Sequence, residues 1–456
     1  MKNPLLVHWS CALLWIAAVT SGAAASYPFQ NPFQPNPAET TFPAPTQSVV
    51  PEGLSSAPRT LWQQSSLTGD WNGAREQLLY RGFSITPVYI GEVFGNPTGG
   101  AGRGLIYDGV INVALDADLA RISGLDGLGV VHGNFLYIHG PSLSGRFVGD
   151  LSGTSNIAGY NSPRLQELWY QQSFWRQRIT LRLGLIAADT EFFVSDYGAL
   201  FLNGTFGAFT FVAANLPNAP VYPIAAPGVR LFVKPTSKFY FQAALFSGDP
   251  GGQTENKNGL DFRFRDGVSM LFETGFLLNQ SPGDRGLEGT YKLGSFVHTG
   301  TFNSWDSQRQ NELRGAAFQD QGPNYGIYAV ADQEIFKSGG RTIGAFLRGG
   351  VSPGDVNVVD RYVDGGLNFV GWVRGRINDV LGVGVARSWI SSDFGRFQRA
   401  LGEPGARAET VLEGTYRIVL APWWTVQPDV QYIFNPGAND NARDAVVLGC
   451  RTSIQF

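Results

Sequence analysis

The sequence predicts an all-β protein: a 16-stranded antiparallel transmembrane β-barrel with a short N-terminal helix and a long loop that constricts it. Three observations carry this. Stretches of about ten residues alternate apolar with polar or small side chains, which gives a strand two unlike faces. The connections between them alternate short and long, as in a bacterial barrel with tight turns on one side and longer loops on the other. The last segment, AVVLGCRTSIQF, places Val446, Leu448, Cys450, Thr452, Ile454 and Phe456 on one face and Gly449, Arg451, Ser453 and Gln455 on the other. Taken alone, that segment also fits the final strand of a soluble sandwich. A barrel has a physical reason to close, because an open sheet edge in lipid leaves backbone groups unpaired at several kcal/mol each.

The whole chain narrows the choice. Its 456 residues would suggest about three soluble domains by length, yet no Pro/Ser/Gly linker divides them internally. Hydrophobic residues make up 43%, charged residues only 16%, and there are 58 Gly, a mixture suited to many strands and turns. Residues 1–25 have Lys2, an apolar run from Cys11 to Thr20 and the small-residue stretch SGAAAS, which reads as a signal peptide cut after Ala25. Removing it takes Cys11 away and leaves Cys450 as the only thiol, so no intrachain disulfide is expected. No later run of eighteen or more apolar residues occurs, so crossing a membrane would fall to strands. A soluble periplasmic or secreted protein remains beside the barrel. With a net charge of -3 and no basic stripe, nucleic acid is not an expected partner.

In chain order, residues 26–66 form a Pro-rich leader, disordered by composition between Tyr27 and Arg59. Residues 67–83, LTGDWNGAREQLLYRGF, predict a short helix from Trp71 to Arg81, with Asp70 able to cap it and Gly82 to end it. Barrel strands then occupy 84–94, 107–119, 127–139, 165–174, 178–187, 228–234, 238–247, 267–277, 288–299, 323–335, 341–350, 365–377, 379–390, 408–420, 423–434 and 445–456. An even number brings both ends of the barrel domain, 84–456, to one side. Sixteen strands leave a lumen wide enough for water and small solutes.

The faces agree. Ile111, Val113, Leu115, Ala117 and Leu119 oppose Asn112, Asp116 and Asp118. Ile179, Leu181, Leu183 and Leu185 oppose Arg182, and Leu412, Tyr416, Ile418 and Leu420 oppose Glu413 and Arg417. Trp423 and Trp424 stand where an interfacial aromatic girdle would lie.

Several blocks resemble the carbohydrate-selective porins of the OprB family. They are LTGDWNGAREQLLYRGF, GNPTGG at 95–100, LQELWYQQSF at 165–174, LRLGLIAADTEFFVSD at 181–196, ALFLNGTFG at 199–207 and the closing VLGCRTSIQF. The resemblance implies a sixteen-stranded outer-membrane porin that passes glucose and similar small sugars by passive, facilitated diffusion, with no cofactor and no metal. It departs from the family at Ile186 and Ala187, where a more polar stretch is common, and in its longer leader. Outer-membrane lipid and lipopolysaccharide would surround such a barrel. A homotrimer is common among porins, though the strand pattern selects neither monomer nor trimer.

The longest connection, 188–227, is rich in Phe, Ala and Gly and carries Glu191, Asp196, Tyr197, Phe206, Phe209 and Phe211. A loop so apolar should not stand free in water, so it is expected to fold into the barrel and narrow it; the alternative is packing over the rim or against a neighbouring subunit. Sugars are held by aromatic faces and by planar polar groups that bond adjacent hydroxyls. The lumen candidates are Arg182, Arg230, Arg348, Arg374, Arg376 and Arg451 facing Glu92, Asp116, Glu167 and Glu413, with Glu191 and Phe206 from the loop and Trp169 and Trp372 as stacking platforms. Each of these could instead be a structural wall residue. Together they make a mixed-charge lumen suited to neutral hydroxylated solutes, with a general or anion-preferring porin as the alternative. No enzyme is expected. Only His132, His139 and His298 remain after signal removal, with no GxSxG-type nucleophile motif, and the seven-residue spacing of the first two puts them on opposite strand faces. Cys450, on the lipid-facing side, reads as a small hydrophobe.

Overall fold

A computed structural model describes residues 60–456 except 208, 282, 319, 320, 405 and 406, so the signal peptide and most of the leader lie outside the described residues. Sixteen strands close into one barrel: β1 (Phe83–Gly100), β2 (Gly104–Asp118), β3 (Val130–His139), β4 (Ser162–Phe174), β5 (Ile179–Ile186), β6 (Ala226–Val233), β7 (Phe239–Ser247), β8 (Val268–Leu278), β9 (Gly289–Asn303), β10 (Gln321–Ser338), β11 (Arg341–Val351), β12 (Val359–Val370), β13 (Val380–Ile390), β14 (Ala408–Ala421), β15 (Trp424–Phe434) and β16 (Arg443–Gln455). Each pairs antiparallel with its sequence neighbours. The seam joins β1 to β16, with Glu92 opposite Arg451 and Val93 opposite Cys450. Among the described residues no helix is long and apolar enough to cross a membrane. The strands do so with two faces: along β13, Leu381, Val383 and Val385 are exposed while Gly382, Ala386 and Ser388 are buried within. His132 likewise faces the buried interior, whereas His139 lies outside beside Tyr107 and Tyr137.

Four details differ from the sequence reading. The twelfth strand lies six residues earlier than expected, Val359–Val370, because Gly371 takes a left-handed backbone (φ 70°) and starts a turn over 371–379. The first outer connection spans only 101–103, so the short/long alternation has an exception. Leu185 has outward parity but is buried against Leu165, Ala187 and Ala225. Finally, the N-terminal helix is Ala74–Tyr80 and Asp70 does not cap it; the Asp70 carboxylate instead accepts the Asn72 N–H. Gly82, at φ 92°, does follow its end.

The segment before β1 clasps the seam from the periplasmic side. The Leu67 N–H donates to the Gln455 carbonyl (2.8 Å), the Trp423 indole donates to the Leu61 carbonyl (2.9 Å), and Arg75 donates to the Phe456 carbonyl (2.7 Å). Trp62 stacks near Trp423 and Trp424, with ring centroids 6.1 and 6.4 Å away. Phe456 closes a cavity of about 190 Å³ lined also by Trp71, Leu78, Leu79 and Phe83. Phe456→Ser is therefore expected to lower the yield of folded barrel, measured as the heat-modifiable fraction on a gel; an unchanged fraction would show that closure does not depend on this aromatic.

Candidate constriction site

The connection between β5 and β6 enters the lumen and is tied to the inner wall from β8 round to β15. The Glu273 carboxylate accepts the Phe193 N–H (3.0 Å), and Asp332 accepts the Ser195 hydroxyl (2.5 Å) and the Asp196 N–H (3.2 Å). Asn368 donates to the Tyr197 carbonyl (2.7 Å), while Glu413 accepts the N–H groups of Leu202 (2.6 Å) and Asn203 (2.9 Å). Arg348 donates to the carbonyls of Phe206 (2.6 Å) and Gly207 (2.9 Å) and is paired with Asp364. These buried wall charges satisfy the backbone of a loop that has no sheet partner of its own.

The loop's aromatics fill the space between it and the wall. Phe201 and Phe206 pack with ring centroids 4.7 Å apart and planes tilted by 34°, and both meet Phe346, while Phe209 packs on Phe193, Phe211, Tyr328 and Tyr362. Two wall glycines make room. A Cβ on Gly344 would lie 2.0 Å from the Tyr197 ring, and one on Gly382 would lie 2.5 Å from Leu200. Overpacking of this kind costs about 1–3 kcal/mol. Gly344→Val is accordingly expected to dislodge the loop and raise single-channel conductance; conductance equal to wild type would show that Tyr197 can move aside.

On the opposite wall, β2 to β6, the loop delivers one carboxylate. Glu191 is ion-paired with both Arg182 and Arg230, all three buried. Arg182 also donates to Gln171 (2.8 Å), and its guanidinium lies 3.8 Å from the centre of the Trp169 ring. His132 stacks on the same indole at 4.6 Å and contacts Asp116 through Nδ1 at 2.7 Å. A polar belt thus runs from Asp116 through His132, Trp169 and Arg182 to Glu191 and Arg230. Glu167 stands beside it and accepts the Ala187 N–H (3.1 Å).

The predicted residues therefore divide. Asp116, Glu167, Trp169, Arg182, Glu191 and Arg230 come together. Glu92 and Arg451 pair with each other at 2.7 Å across the seam, and Arg451 reaches Ser155 of the 140–161 loop at 3.4 Å. Arg348 and Glu413 have the expected inward parity but hold the loop. Phe206 is wholly buried behind the loop and so is not a lining residue. Arg374, Arg376 and Trp372 are corrected outright, since the displaced twelfth strand puts them in the 371–379 turn, outside the wall. There Arg376 donates to Asp379 (2.8 Å). Partial burial pushes the Asp379 carboxyl up, yet bonds from Arg376, Tyr416 and the Val419 N–H hold it below its ordinary value. The sequence reading missed His132 as a member of the belt, and Gly344 and Gly382 as sockets; glycines at inward parity opposite an apolar loop were the available signal.

Residues 102–456 match the carbohydrate-selective porin, OprB family. The chain belongs to that family. Porin B of Pseudomonas aeruginosa is 25% identical to it over 439 residues, which cover 88% of this chain and 92% of that protein. The high-pH structure of Pseudomonas putida OprB is also 25% identical, with a TM-score of 0.80, and the match covers 87% of this chain and 100% of that one. The low-pH structure of the same protein superposes at a TM-score of 0.55 with 20% identity, over 86% of this chain and 99% of that one. As an OprB-family porin the chain is an outer-membrane barrel for sugar-selective diffusion.

Proposed function

We propose that this porin passes glucose and other small sugars of similar size, passively and with no catalytic step, and that selection occurs at the Trp169–Arg182–Glu191–Arg230 constriction. The observation that carries this reading is the sharing of one loop carboxylate, Glu191, between two wall guanidinia. Planar forks of this kind present several aligned donors and acceptors to neighbouring hydroxyls, and Glu191 offsets one of the two guanidinium charges. The alternative, a general or anion-preferring porin, needs cationic surplus in the lumen. Here Arg348 is spent on Asp364 and Arg451 on Glu92, and Arg182 and Arg230 share Glu191 in a belt that also holds the carboxyl groups of Glu167 and Asp116.

Single-channel recording tests the choice. Glucose is expected to interrupt the ionic current at concentrations where gluconate and phosphate do not. Interruption by the anions with none by glucose would replace this reading with the anion-preferring one.

A further inference from the structure

The lipid face of β12 and β13 changes character at one height. Going outward along β13, the lipid-facing column is the exposed Leu381, Val383, Val385 and Arg387, then the half-buried Trp389. On β12 the exposed Arg361 pairs in register with Trp389, and the exposed Val363 pairs with Arg387. The aliphatic belt thus ends on both strands at the same level, next to the extracellular connections 352–358 and 391–407. Both guanidinia lie near the Trp389 ring, with Arg387 at 5.2 Å and Arg361 at 5.8 Å from its centre.

Arg387 makes no ion pair among the described residues, and Arg361 makes one, with Asp360. Arg387 spends one N–H on the Thr410 hydroxyl (2.9 Å). Arg361 touches Asp360 only through Nε, at 3.3 Å, and its side chain is 61% exposed. Glu409, opposite Ser388, points inward and is occupied by the backbone N–H groups of Leu151, Ser152 and Gly437. Two guanidinium forks with free N–H edges, flanking an indole at the boundary between hydrocarbon and headgroups, match an anionic headgroup attached to acyl chains.

We infer that Arg361, Arg387 and Trp389 form a seat for the phosphate of a phosphorylated glycolipid in the outer leaflet. The guanidinia bond the phosphate oxygens and the indole packs on the sugar and the first methylenes. The acyl chains then run down the face of Val363, Val383 and Val385. This seat is separate from the lumen and independent of which solute passes.

The test is native mass spectrometry of the full-length barrel in detergent, titrated with diphosphorylated lipid A and with the same glycolipid after phosphate removal. Wild type is expected to retain the phosphorylated form, and Arg361→Ala/Arg387→Ala to bind it about 30-fold more weakly, taking about 1 kcal/mol for each arginine. The dephosphorylated lipid should bind both proteins alike. Heat-modifiable mobility and the conductance of the variant should equal wild type, which shows that it is folded. Should the double variant not fold, Arg387→Gln is read in the same way, with a smaller loss expected. Equal retention by wild type and variant overturns the proposal. So does retention indifferent to phosphate, or a wild-type dimer or trimer that the substitution dissolves, since that would make the face a contact between copies.

Discussion

A channel lacking residues 195–215 is expected to conduct severalfold more current than the intact protein and to distinguish sugars from salts less well. The deleted stretch carries Tyr197, Leu200, Phe201, Phe206, Phe209 and Phe211, all buried between the loop and the wall from β8 to β15. Removing it exposes Asp332, Arg348 and Glu413 to water in place of the loop backbone they now hold. These groups accept solvation readily, so the barrel should still close, because none of its strand pairings involves the loop. Conductance in symmetrical salt, with and without glucose, is the measurement. Current equal to that of wild type would mean that some other element sets the narrowest point.

Glu191→Gln should have the second large effect, and of a different kind. It leaves the loop in place but removes the carboxylate shared by Arg182 and Arg230. Breaking one partner out of a buried ion pair costs about 3–5 kcal/mol in a closed core; in a pore, water and entering anions relieve part of that. The reversal potential in a salt gradient is therefore expected to shift toward anion preference. Glucose block should weaken about tenfold or more, since a bond to a charged group contributes about 1.5–3 kcal/mol. Glu191→Asp, which keeps the charge at a shorter reach, should recover part of the cation balance. An unshifted reversal potential would show that the two arginines do not face the permeating ions.

The wall of the barrel was legible in the sequence because strand periodicity and lipid impose the same rule: an apolar residue at every second position. The failure at β12 shows the limit of that rule. LNFVGWVRGRIND keeps alternating through Val370, Trp372 and Arg374, and only the left-handed Gly371 ends the strand, a backbone event that polarity does not record. The interior was legible in parity and not in purpose. Glu413 and Arg348 face inward as expected, yet their partners are loop amides 210 and 211 positions away and loop carbonyls 141 and 142 positions away, which no local pattern encodes. Arg182 has its counter-ion in Glu191 of the loop rather than in a carboxylate across the channel. Phe206 was read as a pore residue because the apolar content of the loop shows that it must be buried, without saying on which side of the loop each ring lies.

The seam clasp has a consequence for biosynthesis. Leu61, Leu67 and Arg75 leave the ribosome early, while the groups they bond, Trp423, Gln455 and Phe456, are made more than 360 residues later. A chain cut short by a premature stop would keep Trp71, Leu78 and Leu79 without Gln455 and Phe456 over them. Progress of synthesis is thereby written into the protein's own periplasmic surface: a chain that has reached Phe456 covers part of that apolar patch, and one that stops short displays more of it to whatever proteases survey the compartment.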